Sequence, residues 1–161
     1  MTRGIRVYLA IIAWSFWMGG FGFYFAVVVP VGGKVLGGSE QGFVTQQVTH
    51  WLNLIGLFVL PFLLWNAAAS HHRLLITSWL LLAVLQAGLF AMHRRLDSLI
   101  DAPSRIVKND AQFHRWHEWY ETVATIQFLV AAIHLGGITR SALGENGERK
   151  MRTTGPSQGN E

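Results

Sequence analysis

The chain contains no cysteine, which excludes disulfide staples, zinc–thiolate centres, c-type haem attachment and thiol nucleophiles together. Charge is scarce as well. Asp, Glu, Lys and Arg make up 14% of the residues, well below the roughly 25% of ordinary water-soluble domains. No Gly-x-Ser-x-Gly elbow or Ser–His–Asp pattern occurs, so nucleophilic hydrolysis is not expected. The expectation is a chain that is not an enzyme.

What the chain does have is apolar surface and length for one domain: 161 residues, 51% of them hydrophobic. Its formal net charge of +4 would point to nucleic acid in a soluble protein, because basic stripes attract phosphates. Here Arg3, Arg6, Arg73, Arg94, Arg95, Arg140, Arg149, Lys150 and Arg152 flank apolar segments, the places where lipid head groups lie. The expected partner is therefore the lipid bilayer, and nucleic acid is not expected.

Four apolar segments are long enough for a hydrocarbon layer about 30 Å thick, which about 20 helical residues span. They predict helices over about 7–30, 44–69, 74–95 and 110–139. Twenty-seven residues without Asp, Glu, Lys or Arg separate Arg6 from Lys34, longer than the apolar core of a signal peptide, and no small-residue cleavage site follows. Pro61 removes a backbone donor and is expected to kink the second helix. The polar His71-His72-Arg73 turn predicts an antiparallel hairpin between helices two and three. The fourth helix is expected to begin near Asp110, a residue suited to N-capping, and segment 141–161 is expected to be a disordered polar tail.

The expected fold is all-α: an integral membrane four-helix bundle, up-down-up-down, over residues 1–140. Four spans place both termini on one side of a plasma or inner membrane. Seven basic residues (Arg3, Arg6, Arg73, Arg140, Arg149, Lys150 and Arg152) fall on the side of the termini, against six on the other (Lys34, Arg94, Arg95, Arg105, Lys108 and Arg115). By the positive-inside rule this favours cytoplasmic termini.

Residue faces sharpen the picture. Ser15, Gly19, Gly22 and Ala26 recur at helical spacing, and such small-residue rows let helices approach closely where lipid supplies no hydrophobic drive. The stripe is expected to face the bundle, with contact to a second copy in a homo-oligomer as the alternative. Trp51, Trp65, Trp116 and Trp119 have the composition of interfacial aromatic belts.

Polar stripes occur on three helices: Asp110, His114, His117, Glu121 and Thr125 with Glu118 beside them; Gln46, His50 and Asn53; and Gln86, His93, Asp97 and Asp101. In the four-span topology they converge at one end. Imidazoles with carboxylates make transition-metal sites, so His50, His93, His114, His117, Glu118, Glu121 and Asp97 are candidate ligands. A polar small molecule is the other candidate occupant. Haem is a further possibility, with an axial pair from His50, His93 and His117, or from His134 with His71 or His72. The alternatives are interfacial solvation in a structural or partner-binding membrane subunit, and a transport component, although the middles of helices one and four hold few polar groups to line a path.

The segments FWMGGFGFYFAVVVPVGGKVLG, QGFVTQQVTHWLNLIG, LFAMHRRLD and DAQFHRWHEWY resemble the transmembrane protein 205-like family from Trp14 to about Gln127. The matching positions are Phe16 to Phe25, Gln46 to Asn53, His93 with Arg94, and Phe113 with His117. The resemblance implies a small four-helix membrane protein and no catalytic role for any residue.

Overall fold

The computed structural model describes residues 3–101 and 106–153, with side chains described for 3–37, 40–101 and 106–143. It is all-α apart from one two-residue strand pair. Helix α1 covers Arg3–Leu36, α2 Gly38–Ser70, α3 Arg73–Ser98 and α4 Asp110–Thr153. Strands β1 (Ile100–Asp101) and β2 (Ile106–Val107) pair antiparallel in the α3–α4 connection, with Ile100 opposite Val107.

Each break has a local cause. Pro30 has no N–H to donate to the carbonyl four residues back, and the helix just before it widens into a π turn over Tyr24–Val28. There the Val29 N–H reaches the Tyr24 carbonyl. Gly37 separates α1 from α2 at φ 82°, a left-handed conformation that costs glycine little. His71 ends α2 at φ 52°, supplying the left-handed cap that a glycine more often provides. The first turn of α4 is capped by Asn109, whose Oδ1 accepts from the Gln112 N–H at 3.0 Å. Asp110, the expected cap, instead sits inside the first turn, where its negative charge complements the helix dipole.

Several boundaries move outward from those expected. Helix α1 extends beyond Pro30 to Leu36, α2 starts at Gly38, and α4 continues to Thr153, so segment 141–153 of the expected tail is helical. Residues 154–161 of that tail lie outside the described residues. Helix α2 passes through Pro61 without interruption.

The helices close a ring, with α1 and α3 each packed on both α2 and α4. Buried residues of α3 recur at spacings of three and four (Leu75, Ser78, Leu82, Gln86, Leu89, His93 and Leu96), the pattern of one helical face turned to a bundle axis. On α1 the expectation is reversed. Trp17, Phe21 and Tyr24 are buried, while Ser15, Gly19 and Ala26 are exposed and Gly22 is half-buried. The wide interior takes the aromatic face because only large side chains fill it to native density.

The distribution of polarity is inverted relative to a water-soluble bundle. Asn53, Asn66, Ser78, Gln86, Gln127 and His134 are buried. Phe16, Phe58, Trp51, Val84, Leu129 and Ile133 are all more than half exposed. Four helices are long and apolar enough to cross a membrane.

Interior polar groups are joined across helices. Gln127 Nε2 donates to Gln86 Oε1 at 2.8 Å. Gln86 Nε2 in turn donates to the Asn53 carbonyl at 3.1 Å, and Asn53 Nδ2 donates to the Tyr120 hydroxyl at 3.0 Å. Indole N–H groups of Trp14 and Trp79 donate to the carbonyls of Ala131 and Leu60 on facing helices, at 2.7 and 2.8 Å. Ser78 Oγ lies 2.7 Å from His134 Nδ1.

Gly56 lets α1 and α3 meet α2 at the centre of this network. A Cβ there would lie 2.6 Å from Gln86 Oε1 and 2.8 Å from the buried Trp17 ring, whereas a Cβ on Gly88 would meet nothing within 4 Å. Overpacking of this kind costs about 1–3 kcal/mol, more than the roughly 1 kcal/mol that alanine gains over glycine in a helix. Gly56→Ala should lower the Tm of the detergent-solubilised protein and Gly88→Ala should leave it unchanged or raise it. Equal shifts would contradict the packing described here.

Candidate functional site

One end of the bundle holds a cavity of about 290 Å³. The π turn of α1 presents Tyr24 and Phe25 to it, with Val29 one turn on. Gln41, Thr45 and Thr49 line it from α2 at intervals of four residues, joined by Gln46. His93, Leu96 and Asp97 come from the last turns of α3, and Phe113, His117, Tyr120 and Glu121 from the first turns of α4. The widened turn matters because a regular helix would carry Tyr24 and Val29 around the axis on a different angle. The walls are mostly apolar and aromatic, with polar groups at defined points.

Those polar groups fall into two sets. The first is satisfied within the protein. Asp97 Oδ1 accepts from Gln46 Nε2 at 2.7 Å, tying α3 to α2, and Asp97 Oδ2 lies 3.5 Å from His93 Nε2. On α4, His117 Nδ1 is 3.5 Å from Glu121 Oε1, and His114 Nε2 is 3.4 Å from Asp110 Oδ1. Thr49 donates to the carbonyls of Thr45 and Gln46.

The second set is not satisfied. The Tyr24 hydroxyl, turned toward Thr45, has no hydrogen bond of acceptable geometry, and Gln41 Oε1 has no partner. Both side chains are more than nine-tenths buried, at 2% and 7% exposure. Gln41 Nε2 is held by Thr45 Oγ1 at 3.3 Å, and its carboxamide lies directly over Gly32, where a Cβ would overlap it. Leaving a buried polar group unpaired costs about 1–3 kcal/mol. Two such groups lining one cavity mark a place where an occupant would be stabilised.

Of the residues expected as ligands, the structure gathers His93, Asp97, His114, His117 and Glu121 around this cavity. His50 does not line it; its ring lies 5.7 Å from that of His93, centroid to centroid, and is exposed. Glu118 is exposed on α4 and also lies outside the lining. Among the described residues no group of three or more His, Asp and Glu is placed to hold a metal ion. The physical reason is the helical register. His93, His114 and His117 each meet the carboxylate one turn away on their own helix, and the phenylalanine ring of Phe113 stacks on His117 at 5.9 Å.

Tyr24, Gln41, Thr45, Thr49 and Tyr120 were not anticipated as site residues. The Gln41, Thr45 and Thr49 row carried a signal at helical spacing, but it precedes the apolar run from which the second helix was bounded. Tyr24 could not be assigned to the interior while α1 was expected to turn its small residues inward. The other expected haem pair is not assembled at the opposite end either: His134 is buried against Ser78, whereas His71 and His72 are exposed in the turn.

Comparison with family models, with curated proteins and with solved structures finds no match.

The two tyrosines at the cavity make opposite predictions. Tyr120→Phe removes the acceptor for Asn53 and should lower the Tm. Tyr24→Phe removes only an unpaired hydroxyl and should leave the Tm of the unliganded protein unchanged or raised. Thermal unfolding of both variants in the same detergent checks this contrast, and a larger loss for Tyr24→Phe would refute the assignment of its hydroxyl as unsatisfied.

Proposed function

We propose that the chain is a four-span integral membrane protein, up-down-up-down, that binds a small amphipathic molecule with an amine head in the cavity at one end of its bundle. The membrane part is supported by the inverted polarity, since an exposed apolar surface of this extent is unstable in water, and by four helices of spanning length. The alternating topology is supported by the pairing of interior bonds. Gln46 meets Asp97, Asn53 meets Gln86 and Leu60 meets Trp79, so positions ascending along α2 meet positions descending along α3. A plasma or inner membrane with cytoplasmic termini is part of the same proposal, as is membership of the transmembrane protein 205-like family.

The observation that carries the ligand class is the sign of the cavity's polar groups. Asp97 and Glu121 bring carboxylates, each 3.5 Å from an imidazole that also lines the cavity (His93 and His117) and each with lone pairs to spare, while Gln41 brings an unpaired carbonyl oxygen and the Thr45 and Tyr24 hydroxyls can accept. Acceptors in this number call for a donor. Phe25, Phe113, Tyr24 and Tyr120 add aromatic rings, whose quadrupoles attract a cation, while Val29, Leu96 and Ile100 receive an apolar body. Small-molecule sites commonly combine apolar walls with a few placed polar groups in this way.

Benzylamine is a suitable probe, and benzyl alcohol is its uncharged counterpart of the same shape. Benzylamine should raise the Tm of the detergent-solubilised full chain saturably, as any ligand of the folded state does. Benzyl alcohol should raise it far less, and Asp97→Asn should abolish the benzylamine shift. Equal shifts with the two probes, or an undiminished shift in the variant, would overturn the amine assignment.

A further inference from the structure

A second cavity, of about 540 Å³, lies at the opposite end of the bundle. Its lining comes from the first turns of α1 (Arg3, Arg6 and Val7), the last turns of α2 (Asn66, Ala69 and Ser70), the α2–α3 turn (His72) and α4 at Ser141. Its chemistry is the reverse of the first. Two guanidinium groups and an imidazole face it, and no carboxylate is among the described residues that line it.

Three observations make this a built site. Asn66, which lines the cavity, is 4% exposed, and its Nδ2 has no hydrogen-bond partner, so a buried donor in the cavity wall is left without an acceptor. The Arg3 guanidinium is held across the cavity by a 2.6 Å bond to the Ser141 carbonyl, which joins α1 to α4. Arg6, half-buried one helical turn further on, forms no ion pair with any described residue. A fixed guanidinium, a second one beside it and a buried amide N–H are together the donor set that binds the oxygens of phosphate, for which arginine's planar fork is geometrically matched.

We propose that this cavity binds a phosphate group, presented either by the head group of an anionic phospholipid or as free phosphate. The position favours a head group: the site lies at the ends of four helices of membrane-spanning length, the level at which basic residues meet lipid phosphates. Ser70 and His72 are tied to each other, the His72 N–H donating to Ser70 Oγ at 3.4 Å, so the α2–α3 turn forms a defined wall of the site. This site is independent of the amine cavity and stands whether or not that cavity binds its ligand.

The test uses the full chain in detergent, examined by native mass spectrometry during titration with phosphatidic acid, with diacylglycerol of the same chains as the phosphate-free control. Saturable retention of phosphatidic acid over diacylglycerol, cut at least tenfold by Arg6→Gln and by Asn66→Leu and unchanged by His117→Ala at the other end, is expected. A parallel titration with inorganic phosphate, read as a rise in Tm, separates the sources. A rise that Arg6→Gln removes shows that the ion alone suffices, and no rise beside retained lipid shows that the head group is required. Equal retention of diacylglycerol and phosphatidic acid, or binding that persists in a folded Arg6→Gln protein, would overturn the site. So would the absence of binding in both titrations. Folding of each variant is read independently from its helical circular dichroism.

Discussion

The structure depends on a chain of side-chain hydrogen bonds that runs from Gln127 through Gln86 and Asn53 to Tyr120, linking α4, α3 and α2 and returning to α4. In a hydrocarbon environment lipid tails are as apolar as leucine, so apolar burial gives helices little reason to prefer one another. Directional bonds and close packing must then define which faces meet. Gly56 lies at the point where this chain is most crowded, against Gln86 and Trp17. The bonds fix the register of the helices, and the glycine allows the backbones near enough for the bonds to form.

The same network also divides the interior. On one side of it lies a core of Trp17, Met18, Leu63, Leu82 and Ile138, and on the other a core of Phe21, Tyr24, Leu89, Leu96 and Tyr120. The second opens into the cavity lined by Tyr24 and Asp97, which is possible because the π turn at Tyr24–Val28 shifts the angular position of α1 near Pro30. A local backbone irregularity caused by one proline is thereby converted into the wall of a cavity. Tyr24 packs edge-on against Phe25 at 5.3 Å, which fixes the ring while its hydroxyl stays unpaired.

How far the fold could be read from sequence follows from what each signal measures. Uncharged runs report the cost of charge in hydrocarbon, and they located all four helices. They say nothing of helix that projects beyond the hydrocarbon, which is why Gly38 to Phe43 and the turns after Thr139 were not anticipated. The face of α1 was misread for a related reason: small residues at helical spacing identify a surface capable of close approach, but interior volume decided that Trp17, Phe21 and Tyr24 point inward. At the site, the polar stripes correctly brought His93, Asp97, His117 and Glu121 to one end. Stripe convergence is a statement about angular position, however, and metal binding requires distances. Carboxylates four residues from His93, His114 and His117 on the same helices were already available as partners, and they took those histidines locally.

Taken together, the two ends of the bundle carry opposite chemistry on one scaffold. Carboxylates paired with imidazoles and unpaired acceptors surround the cavity by Tyr24 and Asp97, whereas arginines and an unpaired amide donor, with no carboxylate among the described lining residues, surround the cavity by Arg6 and Asn66. The buried polar chain between them is satisfied along its length by the side chains themselves, so it offers no open row of water-binding groups from one cavity to the other. A protein built to conduct would be expected to leave such a row unsatisfied, because a passing solute must exchange bonds with it. Of the four buried polar atoms without a partner among the described residues, the Tyr24 hydroxyl and Gln41 Oε1 lie at one cavity, Asn66 Nδ2 at the other and His134 Nε2 at neither, which agrees better with the proposed binding of one small molecule at each end than with a continuous polar path.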